Sequence, residues 1–218
     1  HLKKNIILIK KGSNLKSISS TILENNLYIY IYLYYYYLRL WNIFSNLNYG
    51  EFKIDNHHNL YEITKIISKP SNVFYNLTVI DGWQKFQLNN LLNKKFNSLN
   101  EIKYESILAD TYQYRSTDNY TNLINLMKNN KDELFYKHKN NILFKKYSEI
   151  EIMTIASLVE KEGIDDLDKK LISSVIINRL EKKMKLQIDA STIFSITKGG
   201  YKFDRKLTKK DLKIEDEF

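Results

Sequence analysis

EIEIMTIASLVEKEGIDDLDKKLISSVIINRLEKKMKLQIDASTIF, residues 149–194, is the stretch that decides the fold of this chain. Its apolar residues recur at helical spacing in two successive segments. Gly163 ends the first segment in the position just past a helix end. The acidic run 165–168 offers an N-cap and first-turn carboxylates to the second segment. The sequence therefore predicts two helices followed by a turn. The apolar residues that we expect to face the core are Ile152, Ile155, Ala156 and Val159 in the first helix, and Leu171, Ile172, Val175, Ile176, Leu180 and Met184 in the second.

Two glutamates, Glu160 and Glu162, lie on the two shoulders of the first helix's apolar face. Helical geometry separates them by about 160° around the axis, so spacing alone does not tell which one is functional. Glu162 is the last residue before the glycine, where unpaired carbonyl groups make the helix end negative and disfavour a second negative charge. A partly desolvated carboxyl there would hold a proton, as a general acid must. The alternative is that this segment is an ordinary solvated helix end.

The second helix carries two polar side chains, Asn178 and Arg179, beside or within the arc that we expect to be apolar. A buried donor without a partner costs on the order of 1–3 kcal/mol, so this pair needs partners. Arg179 could bind a carboxylate or a substrate oxygen. Alternatively, the pair is structural and ties two helices together. The segment 186–192, which follows directly, is dense in hydrogen-bonding groups.

Three motifs in this stretch resemble, in their order and spacing, the MltG-type (YceG-like) endolytic murein transglycosylases. They are ASLVEKE (156–162), IINRL (176–180) and LQIDAST (186–192). Ala190 stands where proline is commoner in that family, and Phe194 where tyrosine is usual. The resemblance implies that Glu162 is the catalytic residue. The substrate-binding residues that it implies are Glu160, Asn178, Arg179, Gln187, Asp189, Ser191, Asp110 and Tyr112.

The resemblance implies a lyase that works with one carboxyl, whereas a glycosidase usually needs two. Glu162 would protonate the glycosidic oxygen between N-acetylmuramic acid and N-acetylglucosamine. Its carboxylate would then take the proton from the muramic C6 hydroxyl as that oxygen attacks C1, leaving a 1,6-anhydro end. No metal and no organic cofactor is implied. Two other classes stay open: a non-catalytic peptidoglycan-binding or scaffold protein of cell-wall synthesis, and a hydrolase that uses Glu162 with Asp189.

Composition sets outer limits on the fold and the partners. The chain has 218 residues with 6 glycines, 1 proline and no cysteine, so it can hold a sizeable core but no disulfide or thiolate metal site. The four histidines lack zinc-ligand spacing. The net charge of +9 suits an anionic cell-wall polymer or a membrane face. The lysines are scattered and no nucleic-acid motif occurs, so we expect no nucleic-acid partner.

Residues 1–81 are predicted to form a small α+β module. It resembles the LysM-like N-terminal module of the same family, although a generic α+β module without a glycan role fits the pattern equally. Residues 27–44, LYIYIYLYYYYLRLWNIF, are long enough to span a membrane, but the tyrosine hydroxyls and Arg39 favour a helix of the module's core. The predicted order is a strand in 5–10, a helix opened near Ser13, a helix over 27–44, a strand over 50–54, a helix over 59–68 and a strand over 73–80.

Residues 82–218 are predicted to form a mainly helical catalytic domain, which makes the whole chain α+β. Helices are predicted over 83–96 and 119–139. Between them the segment SILADTYQY (106–114) resembles a family segment near the cleft, and this likeness gives Asp110 and Tyr112 their implied role. The alternative is a turn with a satisfied aspartate.

The resemblance also leads to expectations about the complete protein. The family continues past the equivalent of residue 218 with a turn, a loop and a strand, so we expect the catalytic domain to be truncated at its C-terminal end. We expect a single-pass anchor of roughly 20 apolar residues upstream, in the inner membrane, with the catalytic domain facing the periplasm or wall. The implied partners are peptidoglycan glycan strands and cell-wall synthases.

Overall fold

The computed structural model describes residues 6–24, 26–55, 57–97 and 107–213. The chain divides into two compact units, one of His1–Leu77 with Gln113–Asn119 and one of Thr78–Tyr112 with Tyr120–Phe218. The described residues are mostly helical, with two small two-stranded sheets, as the α+β prediction requires. The division into two domains after residue 81 and the LysM-like character of the first stay predictions.

The predicted helices and strands occur in the predicted order, and most are slightly shorter than predicted. The strands are β1 (Ile6–Ile9), β2 (Gly50–Lys53), β3 (Tyr75–Thr78) and β4 (Thr111–Tyr114). The helices are α1 (Leu15–Ile22), α2 (Tyr28–Phe44), α3 (Leu60–Ile67), α4 (Lys85–Phe96), α5 (Tyr120–His138), α6 (Ile142–Lys146), α7 (Glu149–Glu162), α8 (Asp166–Glu181) and α9 (Asp189–Thr197). Three of these elements, β4, α6 and α9, were not predicted. Part of the predicted segment 106–114, namely Ser106, lies outside the described residues.

The first unit has an antiparallel ribbon of β1 and β2 in its core, with Ile7 opposite Phe52. Side chains alternate along β1, so Ile7 and Ile9 are buried and Leu8 is exposed. This alternation is the pattern of a strand with one face on a core.

Helix α2 packs one face against this core, where Tyr34 and Leu38 are buried. The Tyr34 hydroxyl lies 2.8 Å from that of Thr64, which itself donates to the carbonyl oxygen of Leu60, so Tyr34 is the donor of the pair. Burial raises the pKa of Tyr34 to about 12. The prediction of a core helix over residues 27–44 is therefore confirmed. Within the described ranges, no helix has both the length and the apolar character to cross a bilayer.

The third predicted strand does not join the first two. Instead, β3 pairs with β4 in a second two-stranded sheet. The β4 segment alternates between exposed and buried side chains, with Tyr112 and Tyr114 buried. The sequence predicted no strand there, because four residues of alternation are too few to distinguish a strand from a turn.

The two helices predicted from residues 149–194 are present, but the side chains that they bury differ from the prediction. Only Leu158 in α7 and Ile176 in α8 are buried. Leu171 and Val175 were expected in the core and are 61% and 51% exposed. Both helices carry apolar residues around much of their circumference, so the pattern did not fix a single inward face. Other predicted core residues are exposed, namely Ala156 and Met184, or half-buried, namely Ile152, Ile155, Val159, Ile172 and Leu180.

Candidate functional site

The predicted site is organised by the turn between α7 and α8, in which Gly163 ends α7. Gly163 has φ −86° and ψ 135°, so it lacks the left-handed conformation that is usual for a glycine at a helix end. A Cβ atom on Gly163 would lie 2.4 Å from Cγ of Lys169 and 3.0 Å from the carbonyl oxygen of Val159. Gly163 is therefore needed for space, because α8 passes very close to the end of α7.

Two aspartates hold the other side of the turn. The Asp165 carboxylate accepts a hydrogen bond from the N–H of Asp168 at 2.9 Å, which confirms the predicted N-cap of α8. The Asp168 carboxylate accepts from the N–H of Ile164 at 3.1 Å. These bonds satisfy backbone donors that a helix start leaves free.

The two glutamates at the end of α7 have different surroundings. The Glu160 carboxylate forms an ion pair with Nζ of Lys169 at 2.7 Å, and about a third of each side chain is exposed. The hydrogen bond that Lys169 donates to Glu160, with the charges of Asp166 and Asp81 adding to it, raises the pKa of Lys169. Glu162 is exposed, and no described residue forms an ion pair or hydrogen bond with its side chain. The expectation that the Glu162 side chain is partly desolvated was therefore wrong.

A turn from earlier in the chain lies beside Glu160 and Lys161. Gly82 has φ +74°, and a Cβ atom there would lie 3.6 Å from Nζ of Lys161 and 3.9 Å from Cγ of Glu160. The neighbouring Asp81 contributes to the field at Lys169. Sequence reasoning ended a predicted strand at residue 80 but did not place the turn that follows it, Asp81–Gly82, at the site. Lys169 was missed altogether, because its only local signal is a position in the first turn of α8.

Arg179 supports the loop that follows α8. Its Nη1 donates to the carbonyl oxygen of Leu186, and to that of Lys185 at 3.4 Å. The N–H of Met184 donates back to the carbonyl oxygen of Arg179 at 2.8 Å. The described side chains therefore include no Asn–Arg pair tying two helices together, because Asn178 is exposed and Arg179 bonds to this loop.

The predicted turn over residues 186–192 is a short loop that leads directly into α9. Gln187 has φ +53° and an exposed side chain. Asp189 is the first residue of α9, where a carboxylate favours the positive helix end. The Ser191 hydroxyl donates to the carbonyl oxygen of Ile188 at 2.7 Å. Since α9 packs against α7, the exposed side chains of Gln187, in the loop, and Asp189, in the first turn of α9, lie on a segment that α7 helps to position.

Asp110 and Tyr112 have local partners at the start of β4. Tyr112 is 1% exposed, its hydroxyl donates to the carbonyl oxygen of Leu108 at 2.8 Å, and burial raises its pKa to about 12. The Asp110 carboxylate accepts from the N–H of Thr111 at 2.6 Å. These contacts favour the alternative of a turn with a satisfied aspartate. Among the described residues, no hydrogen bond or ion pair joins Asp110 or Tyr112 to the glutamates of α7.

Comparison with known proteins places this chain in a family. The sequence model of the YceG-like family matches residues 7–218. An endolytic murein transglycosylase of Bacillus subtilis is 30% identical over 143 residues, which cover 65% of this chain and 39% of that protein. One of Streptococcus pneumoniae is 36% identical over 90 residues, or 41% of this chain and 16% of that protein. The chain thus spans less than half the length of these relatives.

The fold itself is shared with a solved structure. A crystal structure of a yceG-like protein from Listeria monocytogenes superposes with a TM-score of 0.52. The superposition covers 96% of this chain and 80% of the other, at 22% sequence identity. At this identity the likeness shows a common fold.

Proposed function

The chain belongs to the YceG-like family, and we propose that it acts as an endolytic murein transglycosylase on peptidoglycan glycan strands. Relatives from two bacteria carry that name. The observation that carries the proposal is the contrast between the two glutamates at the end of α7. Lys169 holds Glu160 in an ion pair, whereas the Glu162 carboxyl is exposed and open to a ligand.

In the proposed reaction Glu162 is first an acid and then a base. It donates its proton to the glycosidic oxygen between N-acetylmuramic acid and N-acetylglucosamine, and the bond from that oxygen to C1 breaks. The muramic C6 oxygen then forms a bond to C1 and gives its proton to the Glu162 carboxylate. The products are a 1,6-anhydro end and a free N-acetylglucosamine hydroxyl, so no water is consumed and Glu162 is again protonated. This proton shuttle accounts for a site built on one carboxyl.

The surroundings of Glu162 support a proton-donating role once a ligand is bound. The carboxyl stands exposed at the C-terminal end of α7. A glycan strand lying over it would exclude water from it, and exclusion of water favours the neutral form of a carboxyl. The Glu162 carboxyl would thus act as an acid when the glycan strand is bound.

The neighbouring residues have positioning roles in this proposal. The Glu160–Lys169 ion pair fixes the end of α7 against the first turns of α8. Arg179 fixes the loop that carries Gln187 and leads into Asp189. The side chains of both residues are exposed and can bind sugar hydroxyls and amides.

Mass spectrometry of purified glycan strands after digestion tests the proposal. The protein should produce anhydro ends, Glu162→Gln should produce none while keeping the fold, and Glu160→Gln should retain partial activity. Glu133→Gln, a change at an exposed carboxylate on α5, is the matched control and should act like the wild type. Reducing ends would show a hydrolase instead, and strand binding without cleavage would show a scaffold protein. A dead Glu160 variant beside an active Glu162 variant would reverse the assignment.

We also propose that the complete protein is anchored in the inner membrane and faces the periplasm or wall, where synthases would be its neighbours. The net charge of +9 supports a position beside anionic wall polymers and lipid headgroups. Cell fractionation with protease accessibility tests it. Recovery of the complete protein in the soluble cytoplasmic fraction would refute this placement.

A further inference from the structure

Helix α2 is apolar on two opposite faces. One face packs in the core through Tyr34 and Leu38. The opposite face carries five large apolar side chains that are between 56% and 70% exposed. We call these five residues the α2 seam: Ile29, Leu33, Tyr36, Leu40 and Ile43.

The seam residues are spaced four, three, four and three apart, which is the a/d spacing of a coiled coil. A helix that is apolar all round is normally buried on all sides. With more than half of each side chain exposed, the seam offers on the order of 100 Å² per residue. Two such seams packed together would bury about 1,000 Å², which is the lower limit for a specific interface.

We propose that the α2 seam is a dimer interface, which pairs with the α2 seam of a second copy of this chain in antiparallel register. The spacing requires a partner with the same helical repeat, which a second copy has. Arg39 is the only charged residue of α2, so the helix has no acidic or basic pattern that would select a different partner. A two-fold interface uses the same patch twice and needs no such pattern.

The identities of the seam residues favour the antiparallel register. In a parallel pair, Leu33 and Leu40 would occupy a positions and Ile29 and Ile43 would occupy d positions, an arrangement that favours three or four strands. In the antiparallel register Leu33 faces the partner's Tyr36 and Ile29 faces the partner's Leu40. The two-fold axis repeats each of these two contacts once, so the two helices form four layers of contacting side chains.

A membrane surface is the rival occupant of the seam. Helices that lie in a membrane surface pair one apolar face with a strongly charged face. In α2 the face opposite the seam is the protein core, and the helix carries a single charge. These features favour a second copy over a lipid surface.

Sedimentation velocity over a wide range of protein concentrations tests the interface. The chain should associate to a dimer, and Leu33→Glu with Leu40→Glu should make it a monomer with unchanged circular dichroism. Leu167→Glu is the matched control, because Leu167 is also an exposed leucine and lies on α8, which is not part of the seam. The control should remain a dimer. A wild-type chain that stays monomeric, or a dimer that survives the double substitution, would overturn the proposal.

Disulfide trapping tests the register, because the chain contains no cysteine. Ile29→Cys with Leu40→Cys should give an oxidised dimer, since these positions face each other across the antiparallel pair. Ile29→Cys alone should not, because the two copies of residue 29 would be about 16 Å apart along the axis, too far for a disulfide. Efficient trapping by the single variant would refute the antiparallel register. A monomer that sediments with phosphatidylglycerol vesicles through the seam would overturn the proposal in favour of a membrane.

Discussion

Replacement of Gly163 distinguishes two reasons for a glycine at the end of α7. Its φ of −86° is open to any residue, so backbone strain does not explain it. A Cβ atom there would lie 2.4 Å from Cγ and 3.2 Å from Cα of Lys169, against normal carbon contacts of about 3.5–4 Å. Cγ can rotate away, but Cα of Lys169 and the carbonyl oxygen of Val159 belong to the backbone. The first turns of α8 must therefore move.

We expect Gly163→Ala to lower the free energy of unfolding by about 1–3 kcal/mol, the usual cost of overpacking. Glycan cleavage should fall as well, because the residue that is pushed away is Lys169, the ion-pair partner of Glu160. Urea unfolding and strand digestion measure the two effects. Gly200→Ala is the control, since a Cβ atom at Gly200 would have a single close neighbour, the Thr197 carbonyl oxygen at 3.3 Å. Gly200→Ala should lower the free energy of unfolding clearly less than Gly163→Ala does.

The Gly163→Asn variant tests whether space or a left-handed backbone is the reason for the glycine. If the glycine were needed for a left-handed conformation, asparagine would be tolerated better than alanine, because it adopts that conformation more readily. If space is the reason, the larger asparagine must be at least as destabilising as alanine. A Gly163→Asn protein that is more stable than Gly163→Ala would contradict the steric argument.

Three other substitutions follow from the structure. Burial raises the pKa values of Tyr34 and Tyr112 to about 12, so the folded protein keeps protons that the unfolded chain loses above a pH of about 10. Stability should therefore fall as pH rises from about 10 to about 12, and urea unfolding of Tyr34→Phe should show a smaller fall. Thr64→Val should cost about 1–3 kcal/mol of unfolding free energy, because it leaves the buried Tyr34 hydroxyl without an acceptor; an equal cost for Tyr34→Phe in urea would contradict this. Arg179→Lys should reduce strand cleavage about 10- to 100-fold with little change in melting, because lysine cannot reproduce the guanidinium contacts to the loop; unchanged turnover would exclude a positioning role.

The features that could be predicted from the sequence are those set by neighbours within one or two helical turns. Asp165 was identified as an N-cap because its carboxylate needs only the N–H three residues on. Gly163 was identified as a helix end for the same local reason, although its physical role proved to be steric. The start of α9 was missed, because Ile188 in the N-cap position offers no side-chain acceptor.

Features that depend on distant partners could not be predicted in this way. The pairing of β3 with β4 joins segments more than thirty residues apart, as the hydroxyl contact between Thr78 and Thr111 shows. Neither strand carries a local signal for its partner. The exposure of Leu171 and Val175 is likewise decided by how α8 packs, and the helical pattern is compatible with more than one inward face.

The two glutamates of α7 show why a helical projection alone could not assign the site. Glu160 and Glu162 are symmetric about the apolar face, so any asymmetry must come from outside the helix. It comes from Lys169, whose ammonium group lies 2.7 Å from Glu160 and whose approach depends on the absence of a side chain at Gly163. The ion pair engages the Glu160 carboxylate, whereas no described side chain binds the carboxylate of Glu162. The residue that distinguishes the two glutamates thus lies on the next helix, and only the turn between α7 and α8 brings it there.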